Sequence, residues 1–300
     1  MKMNTSHLST KNHDLKRVLT FYQEGTLAAD AWFRIAAKDY LELIHEFDFH
    51  GFFSSLPKPI ELLDVGCGTG KFPELLREQL PPTMQIIYDY LDPSAYSLSE
   101  MKKVLERPYQ ARHAINATLE AAQDAAPNGY DVIWSVQSAC YLRHDILDQT
   151  ISKLSRLITR KNGVAFIYLF SRNSFYQDVY DIYNEQFNRQ AQLSFLTIEP
   201  ICEMVASLGI PHHIKKVQFH HSVPSAEHDL LEHYLKKCVL EATPLSEWRK
   251  NETLWHFLQS FNDGTMYHFP QNVWLLMFSP DALKVEASKE YIRNRDGMDI

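Results

Sequence analysis

The chain has 300 residues, a formal net charge of -7 and 45% hydrophobic side chains. That length suits one large domain, or one domain with an elaborated cap, and the hydrophobic share excludes global disorder. The mild acidity argues against a broad phosphate-binding face, which needs Lys and Arg clustered on one side, so no nucleic-acid partner is expected.

The opening stretch is polar, and no apolar run reaches the roughly 20 residues that span a bilayer. Neither a secretion signal nor a membrane partner is therefore expected. Two N-terminal helices are predicted. Leu15, Val18, Leu19 and Tyr22 share helical spacing, and so do Phe33, Ala37, Tyr40, Leu41 and Ile44. The apolar run Ile60 to Val65 reads as a buried strand ending in a Gly-rich turn, and helical spacing resumes near Leu75, Leu76 and Leu80. Strands follow at Gln85 to Leu91, Tyr130 to Val136 and Gly163 to Phe170. They alternate with helices at Ser94 to Leu105 and around Leu147, Ile151, Leu154 and Ile158. Such alternation implies a mostly parallel sheet covered on both faces, a doubly wound α/β fold. Further helices are predicted near Phe175 to Phe187 and Pro200 to Leu208, and a strand at Ile214 to Ser222. Two aromatic-rich helical stretches fill Pro224 to Phe269, and a last strand runs from Asn272 to Phe278.

The chemistry concentrates in Leu63-Asp64-Val65-Gly66-Cys67-Gly68-Thr69-Gly70. A strand delivers a tight turn with glycines at alternate positions. Glycine allows positive φ and lets a ligand approach the backbone with no Cβ in the way. In the dinucleotide fingerprint G-x-G-x-x-G, counted from Gly66, the third glycine would fall at 71, which is Lys71. Here it comes one residue earlier, at Gly70. The pattern E/D-x-G-x-G-x-G, with Asp64 as its acid, resembles motif I of class I methyltransferases, which use S-adenosyl-L-methionine. The resemblance implies a Rossmann-like fold of seven strands.

A second acid, about 20 residues after the glycines, can hold ribose hydroxyls. Asp92 closes the second strand and is the candidate; Asp89 is the mid-strand rival. An N-cap of the next helix is the plain alternative for Asp92. In this fold the Ile115-Asn116-Ala117-Thr118 turn borders the adenine, and the Thr118 hydroxyl is a candidate there, or simple turn chemistry. At the carboxyl end of the fourth strand, Val136, Gln137 and Tyr141 stand where open α/β sheets bind ligands. Gln137 is expected where methyl, sulfonium and acceptor meet.

The segments Asp92-Pro93-Ser94-Ala95, Tyr130-Asp131-Val132-Ile133 with Gln137 and Tyr141, and Phe170-Ser171-Arg172-Asn173-Ser174 are similar to those of histamine N-methyltransferases. The likeness runs loosely from about Leu19 to Phe278. It implies cofactor contacts at Gly66, Asp92, Thr118, Val136 and Gln137, and acceptor contacts at Gln137 and at Asn272 opening the last strand. Two departures stand out. That family's triple-glycine loop is Gly66-Cys67-Gly68 here, and its acceptor-binding N-terminal Glu falls on Leu27, with Glu24 out of register.

The expected layout is a single domain over 1–300. A helical cap (1–50) precedes a cofactor-binding core (51–222), a helical substrate cover (223–269) between the last two strands, and a polar tail (280–300). The expected activity is methylation of a small molecule, on an amine or imidazole nitrogen. O- or C-methylation is the enzymatic alternative, and a non-catalytic cofactor-binding module the other. Cysteines 67, 140, 202 and 238 show no metal or disulfide spacing, and a reduced, cytoplasmic protein, monomer or homodimer, is expected. The 14 histidines suggest metal. Yet His212-His213 and His220-His221 are strand neighbours facing opposite sides, and His228 and His233 are five apart, so no metal is expected.

Overall fold

The computed structural model describes residues 29–122, 128–159, 162–187 and 195–293. The helix expected around Leu15 to Tyr22, like Glu24 and Leu27, lies outside them. The chain divides into two compact units. One comprises Ala37–Arg172, Leu196–Phe219 and Asn272–Ile300; the other comprises Met1–Ala36, Asn173–Phe195 and His220–Gln271.

The elements come in chain order as helices α1 (Ala29–Glu46) and α2 (Phe49–Ser55), strand β1 (Ile60–Val65), α3 (Lys71–Arg77), β2 (Ile86–Leu91), α4 (Ala95–Val104), β3 (Tyr109–Ile115) and β4 (Val132–Val136). Then follow α5 (Leu147–Thr159), β5 (Val164–Phe170), α6 (Phe175–Gln186), α7 (Ile198–Ser207) and β6 (His212–Pro224). The chain continues through α8 (His228–Val239), α9 (Leu245–Lys250), α10 (Glu252–Gln259), β7 (Met266–Phe278) and α11 (Ala282–Lys289). The seven strands form one sheet in the order β3-β2-β1-β4-β5-β7-β6. Strands β1 to β5 are parallel and β7 runs antiparallel to β5, with Phe170 opposite Val273. This is the seven-stranded, mostly parallel, Rossmann-like sheet expected. Every residue of β5 is buried, as a central strand covered on both faces requires. Aromatic rings fill the sheet unit: Phe47 lies 5.2 Å from Phe166, and Phe72 lies 5.1 Å from Trp134.

The helical unit has its own core of Phe175, Tyr180, Tyr183, Tyr234, Trp248 and Phe269. Phe269 stacks on Phe175 at 4.1 Å and on Tyr234 at 5.2 Å. A polar chain is buried within it. Ser174 Oγ donates to Gln271 Oε1 (2.6 Å), Gln271 Nε2 donates to the Tyr234 hydroxyl (3.2 Å), and that hydroxyl bonds His221 Nδ1 (2.9 Å).

Three details correct the sequence reading. The 223–269 stretch carries three helices, not two, because Asn251 both ends α9 and caps α10 by accepting from the Leu254 amide. Strand β7 begins at Met266, so Asn272 lies mid-strand rather than opening it. The early part alternates Tyr267, Phe269 and Gln271 inward with His268 outward, and Pro270 is tolerated because β5 pairs with β7 only from Val273 onward. The expected tail contains α11, whose Asp281 side chain caps the Leu283 amide while Val285 is buried. Among the described residues, no helix is long and apolar enough to cross a membrane.

Candidate functional site

The glycine loop leaves β1 and enters α3. Its backbone is pinned to the end of β2, since the Gly66 and Cys67 amides both donate to the Leu91 carbonyl (2.8 and 3.1 Å). All three glycines have positive φ: +71° at Gly66, +54° at Gly68 and +85° at Gly70. Their surroundings differ. A Cβ on Gly66 would stand 2.5 Å from Ser138 Cβ, and one on Gly70 would strike Val104 and Met101. A Cβ on Gly68 would meet nothing within 4 Å. Two glycines are therefore demanded by the protein's own packing, while Gly68 alone faces open space.

Asp92 follows β2 and closes the loop from the far side. Its Oδ2 accepts from the Gly68 amide (3.0 Å) and its Oδ1 from the Ser94 amide (2.8 Å). Asn116, beyond β3, steadies this turn by donating from Nδ2 to the carbonyls of Asp92 and Pro93. The rival Asp89 is committed elsewhere. Burial alone would raise its pKa, but Arg112, Tyr130 and His113 hold the carboxyl below the usual range. Arg112 Nη2 lies 2.8 Å away and the Tyr130 hydroxyl donates at 2.8 Å. The helix-cap alternative for Asp92 also fails, because Ser94 is the residue that caps α4, accepting from the Ser97 amide.

Asp64 is fully enclosed near the end of β1. Burial lifts its pKa to about 7, against the pull of the Tyr88 hydroxyl that donates at 2.7 Å. The folded protein thus holds this proton more tightly than the unfolded chain. Stability from it is complete below the ordinary carboxyl pKa of 3.8 and is lost as pH rises towards 7. Between pH 5 and pH 7 the expected loss is about 2 kcal/mol. Asp64→Asn should flatten that slope, and melting temperatures across this range test it; a slope unchanged by the substitution would refute the assignment.

Strand β4 brings Val136 and Gln137 to the sheet's carboxyl edge. The Gln137 amide donates to the Tyr168 carbonyl (2.7 Å), and its φ is +53°, unusual for a residue with a side chain. Both its side-chain Oε1 and Nε2 are buried without a hydrogen-bond partner. Ser138, which sequence reasoning overlooked, ties the loop and strand together by donating to the Val65 carbonyl (2.7 Å). Its contact with Gly66 spans 72 positions of sequence, so no local pattern could have flagged it. Tyr141 ends a short turn, its amide donating to the Ser138 carbonyl. Thr118 lies in the turn beyond β3, where its hydroxyl accepts from the Ala121 amide (3.3 Å). Asn272 bonds its amide oxygen to Gln218 Nε2 (2.6 Å), and its carbonyl accepts from the Ser171 amide beyond β5. Cys67 is buried, and burial pushes its thiol pKa well up, so it is no nucleophile.

Residues 63–165 match a family model described as a methyltransferase domain. A malonyl-[acyl-carrier protein] O-methyltransferase of Paenibacillus sp. (strain JDR-2) is 30% identical over 156 residues, 50% of this chain and 54% of that protein. The chain thus matches about half the length of this curated relative. Among solved structures, the plantazolicin methyltransferase BpumL, bound to a triazolic desmethylPZN analog and SAH, superposes with a TM-score of 0.51. It is 13% identical, covering 91% of this chain and 99% of that one. Mycolic acid cyclopropane synthase CmaA1 with SAH and CTAB gives 0.50 at 16% identity, covering 81% and 83%. The YcgJ protein of Bacillus subtilis gives 0.50 at 9% identity, covering 82% and 99%. At these identities the structures share the fold.

Proposed function

We propose that this chain is an S-adenosyl-L-methionine-dependent methyltransferase acting on a small molecule, and that it methylates an amine or imidazole nitrogen. The observation that carries this reading is Gln137: a strained backbone and an unpartnered buried amide at the carboxyl edge of β4, beside the glycine loop. An orphaned buried polar group costs about 1–3 kcal/mol, and left-handed backbone about 1–2 kcal/mol. Such costs persist where a ligand uses the group.

The cofactor fits the residues present. Gly68 offers backbone with open space above it. Asp92 holds the Gly68 and Ser94 amides, which sets its carboxylate beside that open backbone, where a ribose diol would lie. Bound there, the cofactor would supply a methyl group already activated by its sulfonium. The protein has to position the acceptor, exclude water and let the leaving proton go. Gln137 would orient a neutral nitrogen in line with the methyl carbon by accepting from its N–H or donating to its second heteroatom. Its strand-end neighbours Ser135, Val136, Ser138 and Tyr141 carry no charge, which suits a neutral acceptor. The curated relative's name favours O-methylation as the second reading.

A labelled-methyl screen over amines, imidazoles, phenols and carboxylates decides between nitrogen and oxygen. Calorimetry should show S-adenosylhomocysteine binding and no NAD binding; the reverse would sink the proposal. Gln137→Gly should cut turnover at least tenfold, while relief of strain and of the orphaned amide stabilises the fold by about 1 kcal/mol. Loss of stability together with full activity would mean that the amide is structural.

A further inference from the structure

The outward face of β6 and β7 carries an unassigned cluster within the helical unit. His220 and Ser222 point outward from β6 and His268 from β7, in each case between buried neighbours. The two imidazoles stand 6.4 Å apart, centroid to centroid, with perpendicular planes. Asp263 sits behind His268. Its Oδ1 accepts from the Thr265 amide, the Thr265 hydroxyl and the Met266 amide, each at 2.8 Å. Its Oδ2 lies 3.1 Å from His268 Nε2.

This arrangement settles which nitrogen of His268 is free to bind. Three donors clamp Asp263 as a rigid carboxylate, which can only accept. In the neutral imidazole the proton therefore sits on Nε2, facing Asp263, and the lone pair is on Nδ1. Ser222 Oγ lies 3.3 Å from Nδ1, a long contact. A carboxylate holding the far N–H of an imidazole is the arrangement that orients histidines at metal centres and raises their basicity. We propose that His268, through Nδ1, and His220 bind a divalent transition cation such as zinc or nickel, with Ser222 Oγ and water completing its shell.

The spacing suits this. With metal–nitrogen bonds of about 2.0–2.1 Å, two imidazoles on one tetrahedral cation have centroids about 5 Å apart. Side-chain rotations on an open surface cover the remaining distance. The ligands lie on two adjacent strands, so the cation would cross-link β6 to β7. A second group, Glu42, His45 and Glu46, brings ligand atoms within 4.8 Å of one another. There, however, Lys38 pairs with Glu42 (3.3 Å) and Lys215 with Glu46 (3.3 Å), so the acids already have their cations.

The test is calorimetric titration of the untagged full-length protein with zinc chloride. With only two imidazoles where a structural zinc site has four strong protein ligands, one zinc per chain and an affinity on the order of micromolar are expected. His268→Gln and His220→Gln should each weaken binding at least tenfold. Asp263→Asn should weaken it about tenfold, as loss of an outer-shell carboxylate does. His45→Gln should leave it unchanged, and melting curves confirm that each variant is folded. Absence of zinc binding to the parent, retention in both histidine variants, or loss in His45→Gln overturns the proposal.

Discussion

Gly68→Ala should lower affinity for S-adenosylhomocysteine by about a hundredfold or more, roughly 3 kcal/mol, while the protein stays folded. The added methyl meets no protein atom within 4 Å, so its steric cost falls on whatever approaches the loop from outside. The left-handed backbone at φ +54° adds only about 1 kcal/mol of strain to the fold. Gly66→Ala should behave in the opposite sense. Its methyl would stand 2.5 Å from Ser138 Cβ, so the fold itself loses about 2–4 kcal/mol. Calorimetry and thermal melting on the two variants separate a ligand effect from a packing effect. Equal melting temperatures would show that Ser138 yields freely, and an undiminished affinity in Gly68→Ala would place the ligand elsewhere.

Asp92→Ala should weaken the cofactor by about 1.5–3 kcal/mol, the loss expected for charge-assisted hydrogen bonds. Part of that loss is indirect, because Asp92 also fixes the Gly68 and Ser94 amides. Asp92→Asn retains one acceptor oxygen and should recover a portion of the binding. Asp89→Ala serves as the contrast. It removes the partner of Arg112, Tyr130 and His113 and should lower the melting temperature without a direct loss of affinity. Binding measured beside melting for the three variants checks this. A larger affinity loss at Asp89 than at Asp92 would invert the roles.

The legible parts of this chain are those whose physics is local. Ile60 to Gly70 announces a buried strand and a tight turn within eleven residues, and the structure places both where the pattern does. Asp92 could be preferred to Asp89 because an apolar run ends beside it. What the sequence hid depends on pairings across the sheet. Thr118 looks the same whether its hydroxyl meets a ligand or the Ala121 amide. Asn272 was expected to open the last strand, yet that strand runs back to Met266 through Pro270. Its tolerance depends on β5 pairing only beyond that point, which no local window contains. Likewise, His220 and His221 were rightly read as facing opposite sides, yet the companion of His220 is His268, 48 positions away.

The cluster around Asp89 bears on how the sheet holds together at its rim. Residues 110–114 of β3 are exposed on both faces, and the strand has a neighbour on one side only. It buries little apolar surface of its own. Beyond the ladder to β2 it is fastened by Tyr109, which packs on Tyr88 at 5.1 Å, and by Arg112 and His113 gathered onto one carboxylate. Cohesion thus shifts across the sheet, from full apolar burial at β5 to a single ring contact and a charged cluster at β3. A rim held this way can detach as a unit while β1, β4 and β5 stay paired. The turn through Asn116 that steadies Asp92 is continuous with that rim, so Asp92 inherits the rim's looser footing.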